Sequence, residues 1–147
     1  MATRQLPIFV YGTLRPGERN YTYFLEGKTT AEHAAFLLHY EMYDGAYPYI
    51  LSTKKNGKIR GNLLSVRSDA YRKVLQSLDA LEGFDSSDRA HSEYIRVMKK
   101  VVCICPNHRL VPTWAWIYHA NRSLLGDLAG RRIIPSGDWL SGHQRGY

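Results

Sequence analysis

The chain has 147 residues, 44% of them hydrophobic, and a formal net charge of +7 from 20 Lys+Arg against 13 Asp+Glu. That length predicts one domain over residues 1–147, with enough apolar residues for a core. The charge raises the question of nucleic acid, but it is scattered in short groups (Lys54-Lys55, Lys99-Lys100, Arg131-Arg132), which reads as a solvated surface and predicts no nucleic-acid partner.

From the N-terminus, Met1 to Gln5 precedes too short an apolar stretch for a signal peptide. No segment approaches the roughly 18–20 apolar residues of a membrane span. A cytoplasmic location, away from membranes, is therefore expected. Ile8 to Tyr11 reads as a buried strand, and Gly12 stops it, followed by a turn through Thr13, Leu14, Arg15, Pro16 and Gly17. Glycine permits positive φ or close approach to the backbone. A strand that ends in such a turn gathers backbone N–H groups in a small space, which can hold a carboxylate or a developing oxyanion.

Asn20 to Glu26 is a candidate short helix ended by Gly27, and Thr30 to Tyr43 reads as strand. Asp44 to Tyr49 is a turn with aromatic and proline surfaces that can wall a pocket or pack under a loop. Ile50 to Thr53 and Ile59 to Val66 read as two strands of a hairpin, with Lys54-Lys55-Asn56-Gly57 as its turn.

The clearest helix covers Asp69 to Glu82. Ser68 is placed as its N-cap and Gly83 as its left-handed terminator. Tyr71, Val74, Leu75, Leu78 and Leu81 form its apolar stripe. At about 100° per residue, Glu82 falls roughly 40° from Leu78, inside that stripe. Burial and the negative helix end both disfavour its charge, so its pKa is expected to rise towards neutrality, which suits a general base that later returns its proton. The other reading is a Glu that bends out to water or pairs with a basic residue.

Tyr94 to Cys105 alternates as a strand. Trp114, Trp116 and Tyr118 share one face of the next strand, with Ala115 and Ile117 on the other. Cys103 and Cys105, the only cysteines, lie on one strand face, where a disulfide is not expected. A short helix after Asn121, a final turn capped by Ser136 or Asp138, and a loose polar tail over 141–147 complete the chain. Six histidines without H-x-x-x-H or C-x-x-C spacing, and no P-loop or G-x-S-x-G motif, predict no metal and no cofactor.

Val10-Tyr11-Gly12-Thr13-Leu14, then Leu78 to Gly83, Tyr94-x-Arg96, Trp116-Ile117-Tyr118 and Ser136 to Trp139 together resemble the γ-glutamylcyclotransferase-like (AIG2-like) family. The likeness runs from about Pro7 to Trp139. One departure is Gly61-Asn62-Leu63-Leu64, where members often carry Gly-Glu-x-Tyr. The resemblance implies an α+β fold, a small mixed β-barrel-like sheet with a few helices. The residue-level count of about six strands and two or three helices agrees with it. It further implies cleavage of a small-molecule γ-glutamyl amide by its own α-amine, releasing 5-oxoproline and a free amine, as in γ-glutamylamine cyclotransferases. Glu82 would be the acid/base, with Tyr11, Gly12, Thr13, Leu14, Tyr94 and Tyr118 binding substrate. Arg15 and Arg96 are charge partners or structural residues. A monomer is expected. Two other readings stay open: a catalytically silent binding or regulatory relative, and a basic nucleic-acid binder that stacks bases on the aromatic stripe.

Overall fold

The computed structural model describes residues 5–45, 47–123 and 131–139. The described residues form seven strands and two α-helices in chain order: β1 (Ile8–Val10), α1 (Arg19–Phe24), β2 (Thr29–Leu38), β3 (Tyr40–Tyr43), β4 (Tyr49–Ser52), β5 (Lys58–Val66), α2 (Tyr71–Leu81), β6 (Tyr94–Cys105) and β7 (Arg109–Ala120). Five strands close into a barrel in the order β1-β5-β2-β6-β7, and β3 and β4 pair as a separate ribbon. All pairs are antiparallel except the closure, where β1 meets β7 in parallel at Ile8 and Trp116. The architecture is therefore α+β, built on a small mixed barrel.

The strand alternation of β1 sets the two layers. Phe9 and Tyr11 point into the barrel with Leu37, Ile59, Val101 and Ile117. Ile8 and Val10 point the other way and pack with Leu64 and Val66 against Tyr71, Val74 and Leu78 of α2. Helix α2 thus covers one outer face of the sheet, and its C-terminus lies where β1 runs out.

Three local expectations change. The stretch 30–43 is two strands, because His39 turns the chain at φ 67 and sends Tyr40–Tyr43 into the second sheet. Residues 53–57 do not form a hairpin turn. β4 pairs back onto β3 across residues 44–48, while β5 pairs with β1 and β2. The cap of α2 is Ala70, without a side-chain bond, because a turn over 67–70 precedes it and Asp69 binds Arg67 at 2.6 Å. The C-terminal end is as expected. Gly83 sits at φ +66, its N–H donates to Ala80, and the Phe84 N–H donates to Asp79, a Schellman closure with Phe84 packed into the α2 cluster. The helix placed after Asn121 and the tail over 141–147 fall on residues outside the described ones.

Candidate active site

Where β1 ends, the chain turns over the C-terminus of α2 and leaves a pocket of about 130 Å³. At about 30 Å³ per water in the liquid, that is room for roughly four waters, about the size of an amino-acid head group. Tyr11, Gly12, Thr13, Leu14, Glu82, Tyr94 and Tyr118 all line it, so seven residues from four separate stretches meet in one place. Arg15 and Arg96 do not line it. Arg15 donates to Asn62 at 2.8 Å and to Asp138 at 2.9 Å. Arg96 grips Asp79 in a bidentate pair at 2.8 and 3.2 Å.

The glycine turn is shaped by crowding. A Cβ on Gly12 would lie 2.8 Å from the Pro48 ring, whereas the positive φ of this turn belongs to Gly17. The turn is held by the Arg15 N–H donating to Gly12 at 3.1 Å and by Asn20, which donates from its backbone to the Thr13 carbonyl and from Nδ2 to Thr13 Oγ1 at 2.8 Å. The N–H groups of Gly12, Thr13 and Leu14 donate to no described residue. Gly12 and Leu14 are buried, and buried donors without a partner are rare in folded chains. They form an open donor set beside the pocket, fit for an anion.

Glu82 is the C-cap of α2, with its N–H on Leu78 at 2.9 Å. Its carboxylate has no hydrogen-bond or ion-pair partner among the described residues. As a residue it is only half-buried, because the pocket opens onto it, yet its carboxyl is largely enclosed by protein. Burial first, and the Glu93 charge second, push it up to about 7.

The three tyrosines have committed protons. Tyr11 donates to the Tyr118 carbonyl, Tyr94 to the Pro48 carbonyl at 2.9 Å, and Tyr118 to Asp79 at 2.6 Å. Burial is the largest cause holding all three hydroxyls far above the usual phenol range; the Tyr118–Asp79 bond adds to it. With its proton taken, each phenol oxygen can meet a ligand only as an acceptor. One side of the pocket therefore offers donors and the other acceptors plus a carboxyl.

Sequence reasoning placed residues 44–49 as a possible wall, and Tyr47 and Pro48 do line the pocket. It missed Asn20, Leu81 and Glu93. Leu81 was placed in the buried stripe, but it is 40% exposed because it stands at the pocket mouth. Glu93 carries no local signal in the sequence. Among the described residues no group of three or more His, Cys, Asp or Glu is placed to hold a metal ion. Likewise, no described helix is long and apolar enough to cross a membrane.

Comparison with known proteins gives consistent matches. A family model described as gamma-glutamyl cyclotransferase, AIG2-like, matches residues 8–141. A Methanocaldococcus jannaschii protein named as a "putative gamma-glutamylcyclotransferase" is 28% identical over 132 residues, 90% of this chain and 93% of that one. The fold is similar to that of an AIG2-like protein from Mus musculus (TM-score 0.61, 18% identity, 88% of this chain and 86% of that chain). It is also similar to that of a Pyrococcus horikoshii protein (TM-score 0.55, 18% identity, 97% and 99%) and of an Arabidopsis thaliana protein (TM-score 0.62, 24% identity, 95% and 75%).

Proposed function

Because the chain belongs to the gamma-glutamyl cyclotransferase, AIG2-like family, we propose that it cleaves a γ-glutamyl amide by internal cyclisation, with Glu82 as the proton carrier. The observation that carries this reading is the buried, unpartnered Glu82 carboxyl in one pocket with the open amides of Gly12, Thr13 and Leu14. Amino-acid heads carry both charges, and the pocket offers donors for a carboxylate or oxyanion and acceptors for an ammonium.

The glutamyl α-ammonium binds on the acceptor side, among Tyr11, Tyr94, Tyr118 and Glu82. Glu82, pushed up to about 7, is a stronger base than an ordinary carboxylate and so better able to take one of the ammonium protons. The freed amine attacks the γ-carbonyl carbon, a C–N bond forms, and negative charge gathers on the carbonyl oxygen. Glu82 then returns that proton to the departing nitrogen as the amide C–N bond breaks. The second proton, which the attacking nitrogen sheds on becoming a lactam N–H, passes to the same departing nitrogen, which leaves as an ammonium. The products are 5-oxoproline and the amine; no water is consumed and no proton is lost. Attack within one molecule can reach effective molarities of about 10⁵–10⁸ M in favourable geometry, so positioning supplies much of the rate.

The test is incubation with γ-glutamyl butylamide and quantitation of 5-oxoproline against butylamine. Equal amounts of both are expected. Absence of 5-oxoproline over a panel of γ-glutamyl amides, or full activity in Glu82→Gln, would reject the reading.

A further inference from the structure

The mouth of the pocket holds a second carboxylate. Glu93 is exposed, lines the same pocket as Glu82, and its backbone N–H donates to the Gly83 carbonyl at 3.1 Å. Its side chain lies over the helix end, with Oε2 3.6 Å from where a Gly83 Cβ would stand. No ion pair involves Glu93 among the described residues, in a chain with seven more cations than anions. Two carboxylates in one pocket lining, one largely enclosed and one at the rim, neither ion-paired among the described residues, give the pocket mouth a local negative field in a basic protein. The same pocket is lined by two apolar side chains that the fold does not cover: Leu81, 40% exposed, and Tyr47, 47% exposed.

We propose that Glu93 is a specificity-determining residue that selects leaving amines whose alkyl chain carries a second, protonated nitrogen. This rests on the cyclotransferase reading for the direction of the substrate. The glutamyl head is held at the turn, so the leaving group must pass Glu82 and emerge at the mouth. There Leu81 and Tyr47 border the alkyl chain and Glu93 faces whatever charge it carries. A neutral chain gains the apolar contact alone. A chain that ends in a carboxylate meets a like charge. The raised pKa of Glu82, to which the Glu93 charge contributes after burial, fits a field of this sign. The overall positive charge acts at longer range and is screened within about 8 Å at physiological salt.

The experiment compares γ-glutamyl conjugates of diaminobutane, butylamine and γ-aminobutyrate, equal in chain length and differing in end charge. We measure kcat and KM for 5-oxoproline release by the wild type, Glu93→Gln and Glu93→Asp. The expected wild-type ranking is diaminobutane, butylamine, γ-aminobutyrate, with steps of roughly three- to tenfold, mostly in KM, as for a partly exposed ion pair. Glu93→Gln should compress the three to within about twofold of one another, Glu93→Asp should keep the ranking, and added salt should flatten it. Equal kcat/KM for all three in the wild type, or the same ranking in Glu93→Gln, overturns the proposal and leaves the cyclotransferase reading standing. If none of the three yields 5-oxoproline, that reading falls, and the ranking is read from calorimetric binding of the same conjugates. A charge ranking lost in Glu93→Gln then supports the role of Glu93, and no ranking or no binding overturns it.

Discussion

Glu82 is held at a cost that its chemistry requires. Below pH about 4.5 the carboxyl is neutral in folded and unfolded chains alike. As pH rises from 4.5 to about 7, the unfolded chain releases a proton that the folded chain keeps, so stability falls with rising pH and levels off above about 7. Glu82→Gln should therefore be more stable than the wild type at pH 8, by about 2–3 kcal/mol, and indistinguishable at pH 4. In the same variant 5-oxoproline formation should fall by about 10²–10⁴-fold, the usual weight of a positioned acid/base. Paired thermal melts and rate measurements check both. A variant that is no more stable at pH 8 would mean that the carboxyl is not held in an apolar setting. In the wild type, kcat/KM should decline below pH about 7 as Glu82 takes up its proton. This residue was legible from sequence because the phase of α2 put a carboxylate within the apolar stripe. Glu93 was not, because its place depends on β6 meeting the end of α2, which no local period encodes.

Two elements, the glycine turn and the end of α2, are each fixed by something outside them. The turn needs Gly12 because Pro48 occupies the space of its side chain. Gly12→Ala should push Pro48 away and disturb the Tyr94 bond to the Pro48 carbonyl. Activity should drop at least tenfold, and the double change Gly12→Ala with Pro48→Ala should recover part of the stability loss, with a coupling of about 0.5–3 kcal/mol. Strict additivity in that cycle would remove the steric account. The end of α2 is tied down by Asp79, which accepts from Arg96 and from Tyr118, while the Arg96 guanidinium lies 4.4 Å from the Trp116 ring centre. Asp79→Ala should cost about 2–4 kcal/mol, since a largely buried guanidinium loses its partner, and Asp79→Asn should cost less; denaturant titrations separate the two. The strands of the barrel were legible from alternation, and Tyr94–Cys105 runs over the expected span. The ribbon was not: Ile50–Thr53 looks like half of a hairpin with Ile59–Val66, because Asn56-Gly57 is a turn signal. Pairing was decided instead by the reversal at His39, a residue with no sequence mark of positive φ.

Across the molecule, residues 131–139 hold three parts together. The Ile134 N–H donates to Met42 at 2.9 Å and Ile133 bridges to Tyr43, which fastens the β3–β4 ribbon. The Gly137 carbonyl accepts from Arg60 at 2.8 Å on the barrel, and its backbone passes so close that a Cβ there would sit 1.6 Å from the Lys58 carbonyl oxygen. Asp138 reaches Arg15 in the turn that carries the open amides. Trp139, 4% exposed, anchors the segment in the barrel core. Trp139→Ala should cost about 3–5 kcal/mol, a fall in Tm of roughly 6–20 °C at this chain length. The loss should not be uniform, because the ribbon has four short pairs of its own and leans on this segment, whereas β6 and β7 pair along twelve residues. Amide exchange in Trp139→Ala should therefore accelerate first at 40–43 and 49–52, then in the turn at 12–15, and last in β6 and β7. Equal acceleration in all three would mean that the segment supports the barrel as a whole and does not couple the ribbon to the pocket.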